Sequence, residues 1–289
     1  MGILSGLKNL GLGSLEEADL YEEDKKEGSR KKPPAPPPPK LQEKDLIYEK
    51  SFTCPVCDSS FTAKLMKSGK AKSIGSDQDL RVRYEGIDAN KYDIVMCPIC
   101  GYAAMNRYFT NVTSMQAKAI KEKISMTVCL TKYEDEIYSY EEAMERHKLA
   151  LASAVVKHAK TSEKAYICLK TAWLFRGYRE SLVEKGEGSE KQLQNLEGQE
   201  EEFLASAYKG LKDARQTEPF PICGMNTVTV DYLVAVLAIR FKEYDVAAKL
   251  MGAILTSPSA TSRVKDKVRD LKEQVIQEVK SGKGVKKQS

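Results

Sequence analysis

The chain has 289 residues, of which 42% are hydrophobic and 30% charged, with a formal net charge of +5. This composition fits a globular protein with a polar surface, and the mild basic excess does not by itself require a nucleic-acid partner. No run of eighteen or more apolar residues occurs, so the sequence offers no transmembrane segment.

The first residues lack the basic start, apolar core and cleavage site of a secretory signal, and Gly6 stands where a myristoylation motif after Gly2 needs Ser or Thr. Ile3, Leu4, Leu7, Leu10 and Leu15 recur at roughly helical spacing, but Gly6, Gly11 and Gly13 weaken any helix. This stretch reads as a frayed tail or as a short amphipathic segment touching a membrane surface or a partner. Its single lysine gives little attraction to anionic lipid. Residues 16–32 mix seven acids with five bases, and Lys31-Lys-Pro-Pro-Ala-Pro-Pro-Pro-Pro-Lys40 follows as a polyproline II spacer. Residues 1–47 are therefore expected to form a disordered, proline-rich extension.

Residues 48–110 carry the main chemical signal, Cys54-Pro-Val-Cys57 and Cys97-Pro-Ile-Cys100-Gly101, two C-x2-C pairs separated by 39 residues. Two residues between cysteines let the chain wrap one corner of a tetrahedron with backbone N–H groups turned toward the sulfurs. Proline stiffens each knuckle, and Gly101 permits a left-handed turn. Cys54, Cys57, Cys97 and Cys100 thus predict one structural Zn2+ per chain, and four protein ligands leave no open position for an activated water. Iron is the less favoured metal. The second knuckle suggests a rubredoxin-type site, but Asp58 follows Cys57 where the matching glycine would stand. The seven cysteines, four of them in C-x2-C pairs, argue for a reducing compartment, and the cytoplasm is the expected location.

Leu80 to Tyr84 alternates apolar and basic residues like a half-buried strand. Tyr92 to Met96 reads as a second strand, and these two are expected to bring the knuckles together. Residues 67–76 read as an exposed loop. Lys64, Lys67, Lys70, Lys72, Arg81 and Arg83 form a candidate nucleic-acid contact. Asp77, Asp79, Glu85, Asp88 and Asp93 dilute it.

From residue 114 onward the pattern is helical. Ser114 can cap a helix to about residue 126, and a second runs over 140–157 with Ala143, His147, Ala150, Leu151, Ala154 and Val155 at helical spacing. A third starts at Thr161, with Ala165, Leu169, Ala172, Trp173 and Arg176 along one side. Gly186 and Gly188 break the chain before Ser189, which caps a long polar helix to about residue 214. Pro219 and Pro221 force a loop. Helices over 227–241 and to about 256 form a pair joined at Lys242 to Tyr244, and Ala235 and Ala238 allow close approach. This pair resembles the helix-turn-helix of a tetratricopeptide repeat. A charged helix over 261–280 and a basic tail over 281–289 complete the chain.

Smaller features read as structural. Cys129 and Cys168 sit in apolar helical settings as core residues, and Trp173 is expected in the core. Cys223 lies in half a knuckle with no second cysteine, His147 and His158 are three turns apart on one face, and Glu200, Glu201 and Glu202 form a solvated face. No phosphate-cradling glycine loop, nucleophile elbow or metal-hydrolase helix appears, so no enzyme activity is expected.

Tyr92-Asp-Ile-Val-Met-Cys-Pro-Ile-Cys-Gly-Tyr-Ala-Ala, with Phe52-Thr-Cys-Pro-Val-Cys before it, resembles the bacterial proteins grouped as domain of unknown function number 2225. Leu169 to Arg176 and Tyr232 to Ala247 also fit, and the resemblance covers roughly residues 48–275. It implies a zinc-binding head on a helical-repeat body in cytosolic bacterial proteins, and no particular activity.

The expected architecture is mainly α: a small zinc-ribbon-like β module over 48–110, then a tetratricopeptide-like helical body over 111–280. The leading expectation is an adaptor for an unidentified protein, with Trp173, Arg176, Tyr232, Arg240 and Tyr244 as the candidate partner groove. A nucleic-acid-binding zinc ribbon and a rubredoxin-like iron electron carrier are the alternatives.

Overall fold

The computed structural model describes residues 41–133 and 135–280. The amphipathic stretch over 1–15, the proline-rich spacer and the basic tail over 281–289 lie outside the described residues. Residues 43–47, read from the sequence as part of the extension, are folded. A 3-10 turn at Glu43–Leu46 buries Leu46 and leads straight into the first strand.

Three two-stranded antiparallel ribbons follow. Strands β1 (Ile47–Thr53) and β2 (Ser60–Met66) pair from Ile47↔Met66 to Thr53↔Ser60. β3 (Ser73–Ser76) pairs with β4 (Val82–Tyr84), and β5 (Ile94–Met96) pairs with β6 (Ala103–Met105). The expected loop over 67–76 therefore ends in a strand, though all four of its residues are exposed. The expected strand over 80–84 is inverted. Arg81 points inward at 6% exposure and Val82 outward at 41%, because Arg81 finds carboxylates inside. The expected strand at 92–96 starts at Ile94, after a 3-10 turn at Ala89–Tyr92.

Seven helices follow among the described residues: α1 (Ser114–Ile120), α2 (Tyr140–Val156), α3 (Thr161–Lys185), α4 (Glu190–Thr217), α5 (Thr227–Arg240), α6 (Tyr244–Thr256) and α7 (Ser262–Lys280). Their starts follow side-chain caps. Thr113, one residue before the expected Ser114, caps α1 with Gln116 in a capping box. Ser139, Ser189 and Asn226 cap α2, α4 and α5. α1 runs into a π turn at Lys121–Ser125 instead of continuing. α3 has no cap of its own. Glu218, just past α4, accepts from the Ser162 backbone N–H at 2.9 Å and from its hydroxyl at 2.5 Å. Gly186, at φ 68°, ends α3.

α3 is buried nearly all round over residues 165–177. Its Ala165, Leu169 and Ala172 join α4 and α5 in the main core, while Ile167 joins Ile94, Met96, Ala103 and Met105 of the head and Ala150 and Ala154 of α2. The core thus runs through residue 110 without a break. Close helix approach is built in at Gly210 of α4, where an added Cβ would stand 2.7 Å from the Ala165 Cβ. Val155, expected on the inner face of α2, is 55% exposed, because α2 ends a residue later and its inner stripe runs through Ala143, His147, Ala150 and Ala154. No helix of the described residues is long and apolar enough to cross a membrane.

Candidate metal centre

Each cysteine pair sits at the tip of a hairpin. Cys54 and Cys57 lie between β1 and β2, and Cys97 and Cys100 between β5 and β6, so the strands that present the second knuckle are β5 and β6 and those that present the first are β1 and β2. The strand at 82–84 pairs with β3 and plays no part, contrary to the sequence expectation.

The two knuckles are built alike. Cys54 N–H donates to Ser59 O at 2.9 Å and Asp58 N–H to Cys54 O at 2.9 Å. In the second knuckle Cys97 N–H donates to Tyr102 O at 2.8 Å and Gly101 N–H to Cys97 O at 3.0 Å. Asp58 takes the left-handed conformation, φ 60°, that Gly101 takes at φ 74°. The missing glycine after Cys57 is thus supplied by an aspartate, one of the few side chains that tolerates this region.

Cys54 Sγ lies 3.6 Å from Cys100 Sγ, and Cys57 Sγ 3.6 Å from Cys97 Sγ. All four sulfurs fall within 4.8 Å of one another. Metal–sulfur bonds of about 2.3 Å in a tetrahedron give an edge of about 3.8 Å, so the set fits a four-thiolate metal. The Val56 N–H, 3.4 Å from Cys54 Sγ, faces the cluster as expected of a knuckle. Underneath lies a dry support. Val56, Ala63, Leu65, Val95 and Ile120 are buried, and Tyr102 packs on Phe109 at 5.0 Å while its hydroxyl donates to Phe109 O at 3.0 Å.

Without a metal these sulfurs cannot all be charged. Hydrogen bonds from Cys100 and Cys54 pull Cys97 down to about 2. Hydrogen bonding to Cys100 and Cys97, with burial, pushes Cys54 well above the usual thiol range. At Cys100 the bond with Cys54 works downward, but the bond with Cys97 and burial prevail and hold it up to about 12. Such opposed shifts among Cys54, Cys97 and Cys100, packed within hydrogen-bond reach of one another, are ones that a cation relieves by displacing protons.

The model of a family described as uncharacterized protein conserved in bacteria (DUF2225) matches residues 47–275, head and helical body together. The chain belongs to this family. No curated protein and no solved structure matches it. This DUF2225 chain carries a four-cysteine cluster in a small β-rich module and is helical through most of the remainder.

The other residues singled out from the sequence divide sharply. Five of the six basic candidates have partners within the chain. Arg81 and Arg83 pair with Asp77 and Glu180, and Arg81 also with Asp88 at 3.6 Å. Lys72 pairs with Glu85 at 3.4 Å, Lys67 donates to Asp45 O at 3.1 Å, Lys64 donates to Asp135 O, and Lys70 is exposed. Of the interleaved acids, Asp77, Glu85 and Asp88 pair with these residues, whereas Asp79 and Asp93 pair with Arg176 and Lys170 of α3.

Arg176, Arg240 and Tyr244 do converge, lining one cavity of about 610 Å3 with Asp77, Asp79 and Lys242. Trp173 and Tyr232 do not reach it as surface residues. They are 4% and 5% exposed, and the Trp173 indole N–H donates to Asp79 Oδ2 at 3.0 Å, in keeping with the core position expected for it. Arg176 forks onto Asp79 at 2.7 and 3.1 Å, reaches Asp77 at 3.1 Å and Glu200 at 2.8 Å. Burial alone would weaken its hold on the proton, but Asp79 and Glu200 outweigh that and strengthen it.

Sequence reasoning missed Glu200. It is 1% exposed and accepts from Arg176, Arg179 and Arg240, so it is no part of a solvated face. A four-residue stripe through Leu196, Glu200 and Leu204 was the available signal. Cys129, expected in the core, is exposed, since the chain there is irregular after the π turn. Cys168 and Cys223 are buried, and burial raises both thiols. His147 is fully buried with Nδ1 2.8 Å from Ala143 O, and burial lowers its basicity. His158 lies past the end of α2, exposed.

Proposed function

We propose that this DUF2225 chain is a metal-stapled docking protein. Cys54, Cys57, Cys97 and Cys100 would hold one structural Zn2+, and a groove on the helical body would receive a protein partner. The observation that carries the reading is the joint one. Two matched hairpin tips close on a largely buried four-sulfur cluster, and three of the five candidate groove residues line a single cavity between the β3–β4 turn and the helical body. The metal supplies a cross-link between two ribbons that are each too short to be stable alone. With four protein sulfurs around it there is no position at which to activate water.

The head would set the β module rigidly on α2 and α3, and the body would do the recognising. Elemental analysis with an absorption spectrum of the purified protein tests the metal. About one zinc per chain without visible colour supports the staple, whereas thiolate-to-iron absorption would replace it with an electron carrier. Crosslinking in cells of the native protein, of Arg240→Glu and of Lys70→Glu tests the docking. A partner adduct lost only with Arg240→Glu supports the groove, and one lost only with Lys70→Glu removes it.

A further inference from the structure

The groove of the helical body already holds a ligand, and that ligand is part of the same chain. The turn between β3 and β4 reads Asp77-Gln78-Asp79-Leu80. Asp79, 5% exposed, receives the fork of Arg176 and the indole N–H of Trp173. Asp77 receives a second Arg176 N–H at 3.1 Å. Leu80 packs against the main core, and Gln78 Nε2 donates to Gln274 Oε1 of α7 at 3.1 Å.

Two carboxylates at alternate positions, clamped by a planar guanidinium and followed by one half-buried leucine, are the contacts a short acidic peptide makes when it binds in trans. The ribbon that carries them is joined to α3 through Arg81 and Arg83 on Glu180, at 2.9 and 2.8 Å, while its first strand is open to solvent. All of β3 is exposed, Ile74 at 61% and Val82 at 41% face solvent, and a register shift interrupts the pairing between Ser73 and Gly75. Beside the turn the cavity continues along Arg240, Lys242 and Tyr244, room that the turn itself does not fill.

We propose that this groove is a binding site for an acidic peptide of the pattern Asp-x-Asp-Leu on a partner protein, and that the β3–β4 turn is its internal competitor. The proposal rests on the docking reading above and names the partner's chemistry. The partner's two carboxylates take the places of Asp77 and Asp79 on Arg176 and Trp173, its leucine takes the place of Leu80, and its flanking residues run along Arg240 and Lys242. Release of the ribbon accompanies binding, so affinity is set by the difference between the two occupants.

The test uses the full chain and a synthetic peptide with the sequence of residues 73–84. Asp77→Asn/Asp79→Asn, which weakens the internal competitor, should bind this peptide at least tenfold more tightly than the native protein, and a peptide with both aspartates replaced by asparagine should bind neither. Equal binding to both proteins, equal binding of the asparagine peptide, or no binding to a folded double variant overturns the proposal. Should the double variant not fold, hydrogen exchange on the native protein decides. Saturating peptide should raise exchange over residues 73–84 and lower it over 236–244, and unchanged exchange in both overturns it. Failure here leaves the crosslinking result of the docking reading intact, with the groove taking a partner of other chemistry.

Discussion

Asp58 and Gly101 are equivalent residues in the two knuckles, each in left-handed backbone one place after the second cysteine, at φ 60° and 74°. They differ in what surrounds them. An added Cβ on Gly101 would stand 2.8 Å from Val128 Cγ1. Gly101→Ala should therefore carry both the left-handed penalty of about 1–2 kcal/mol and an overpacking cost of about 1–3 kcal/mol. Asp58→Ala adds no Cβ and should carry only the smaller loss of the aspartate's tolerance for this backbone. Thermal midpoints of the two metal-loaded variants check this, and equal losses would contradict it.

Gly177 of α3 is a contact point between the helical body and the β3–β4 ribbon. An added Cβ there would fall 2.0 Å from Asp88 Oδ2 and 3.0 Å from Arg81 Nη2, displacing the ion pair pressed on the helix. Gly177→Ala gains helix propensity of roughly 1 kcal/mol, yet the clash should exceed it and leave a net loss of about 1–2 kcal/mol. Trp173, the single tryptophan, lies one helical turn away and reports the unfolding. An unchanged or raised urea midpoint would mean that the pair is not held against α3.

The features legible in the sequence were those written in local spacing. The C-x2-C pairs, the cap Ser189, the start of α2 at Tyr140, and the pair α5 and α6 all depend on residues a few places apart. The features that escaped depend on partners far along the chain. Arg81 looked like the outward residue of a strand because its carboxylates, Asp88 and Glu180, come from another segment and from α3. Glu200 looked solvated because Arg176 and Arg240 lie 24 and 40 residues away. Asp58 looked like a departure from a glycine pattern, though its conformation is the one the knuckle needs. Burial of charge inverts the usual polarity rule wherever the opposite charge is supplied from elsewhere, as Glu180 supplies it to Arg81 and as Arg176 and Arg240 supply it to Glu200.

Asp77 makes the attachment of the ribbon sensitive to acid. Burial works to raise its carboxyl, but hydrogen bonds from Arg83 and Arg176 prevail and the group titrates below its usual value of 3.8. A carboxyl lowered by folding contributes stability above its unfolded value of about 3.9 and loses it as pH falls through the folded value. The stability difference between the native protein and Asp77→Asn should therefore stay level at neutral pH and shrink below about pH 4. A difference that shrinks as pH rises would contradict this sign.

Glu200 offers the sharpest test of the charge network, because its neighbour two places on is a built-in control. Its carboxylate, 1% exposed, accepts from Arg176 Nε at 2.8 Å and Arg179 Nη2 at 3.0 Å, with Arg240 Nη2 at 3.5 Å, whereas Glu202 is exposed. Removing one member of a buried ion cluster leaves the others uncompensated, which typically costs about 3–5 kcal/mol. Because Arg240 is partly exposed and can turn to water, the lower end of that range is expected. Glu200→Ala should lower the urea midpoint strongly, and Glu202→Ala should stay within about 0.5 kcal/mol of the native protein. Glu200→Gln keeps the shape and one acceptor but not the charge. It should fall between the two, since the guanidiniums retain a hydrogen bond without a counter-ion. A Glu200→Ala protein as stable as Glu202→Ala would mean that the three arginines find water or other carboxylates, and that the contact between α3, α4 and α5 is held by their apolar faces alone.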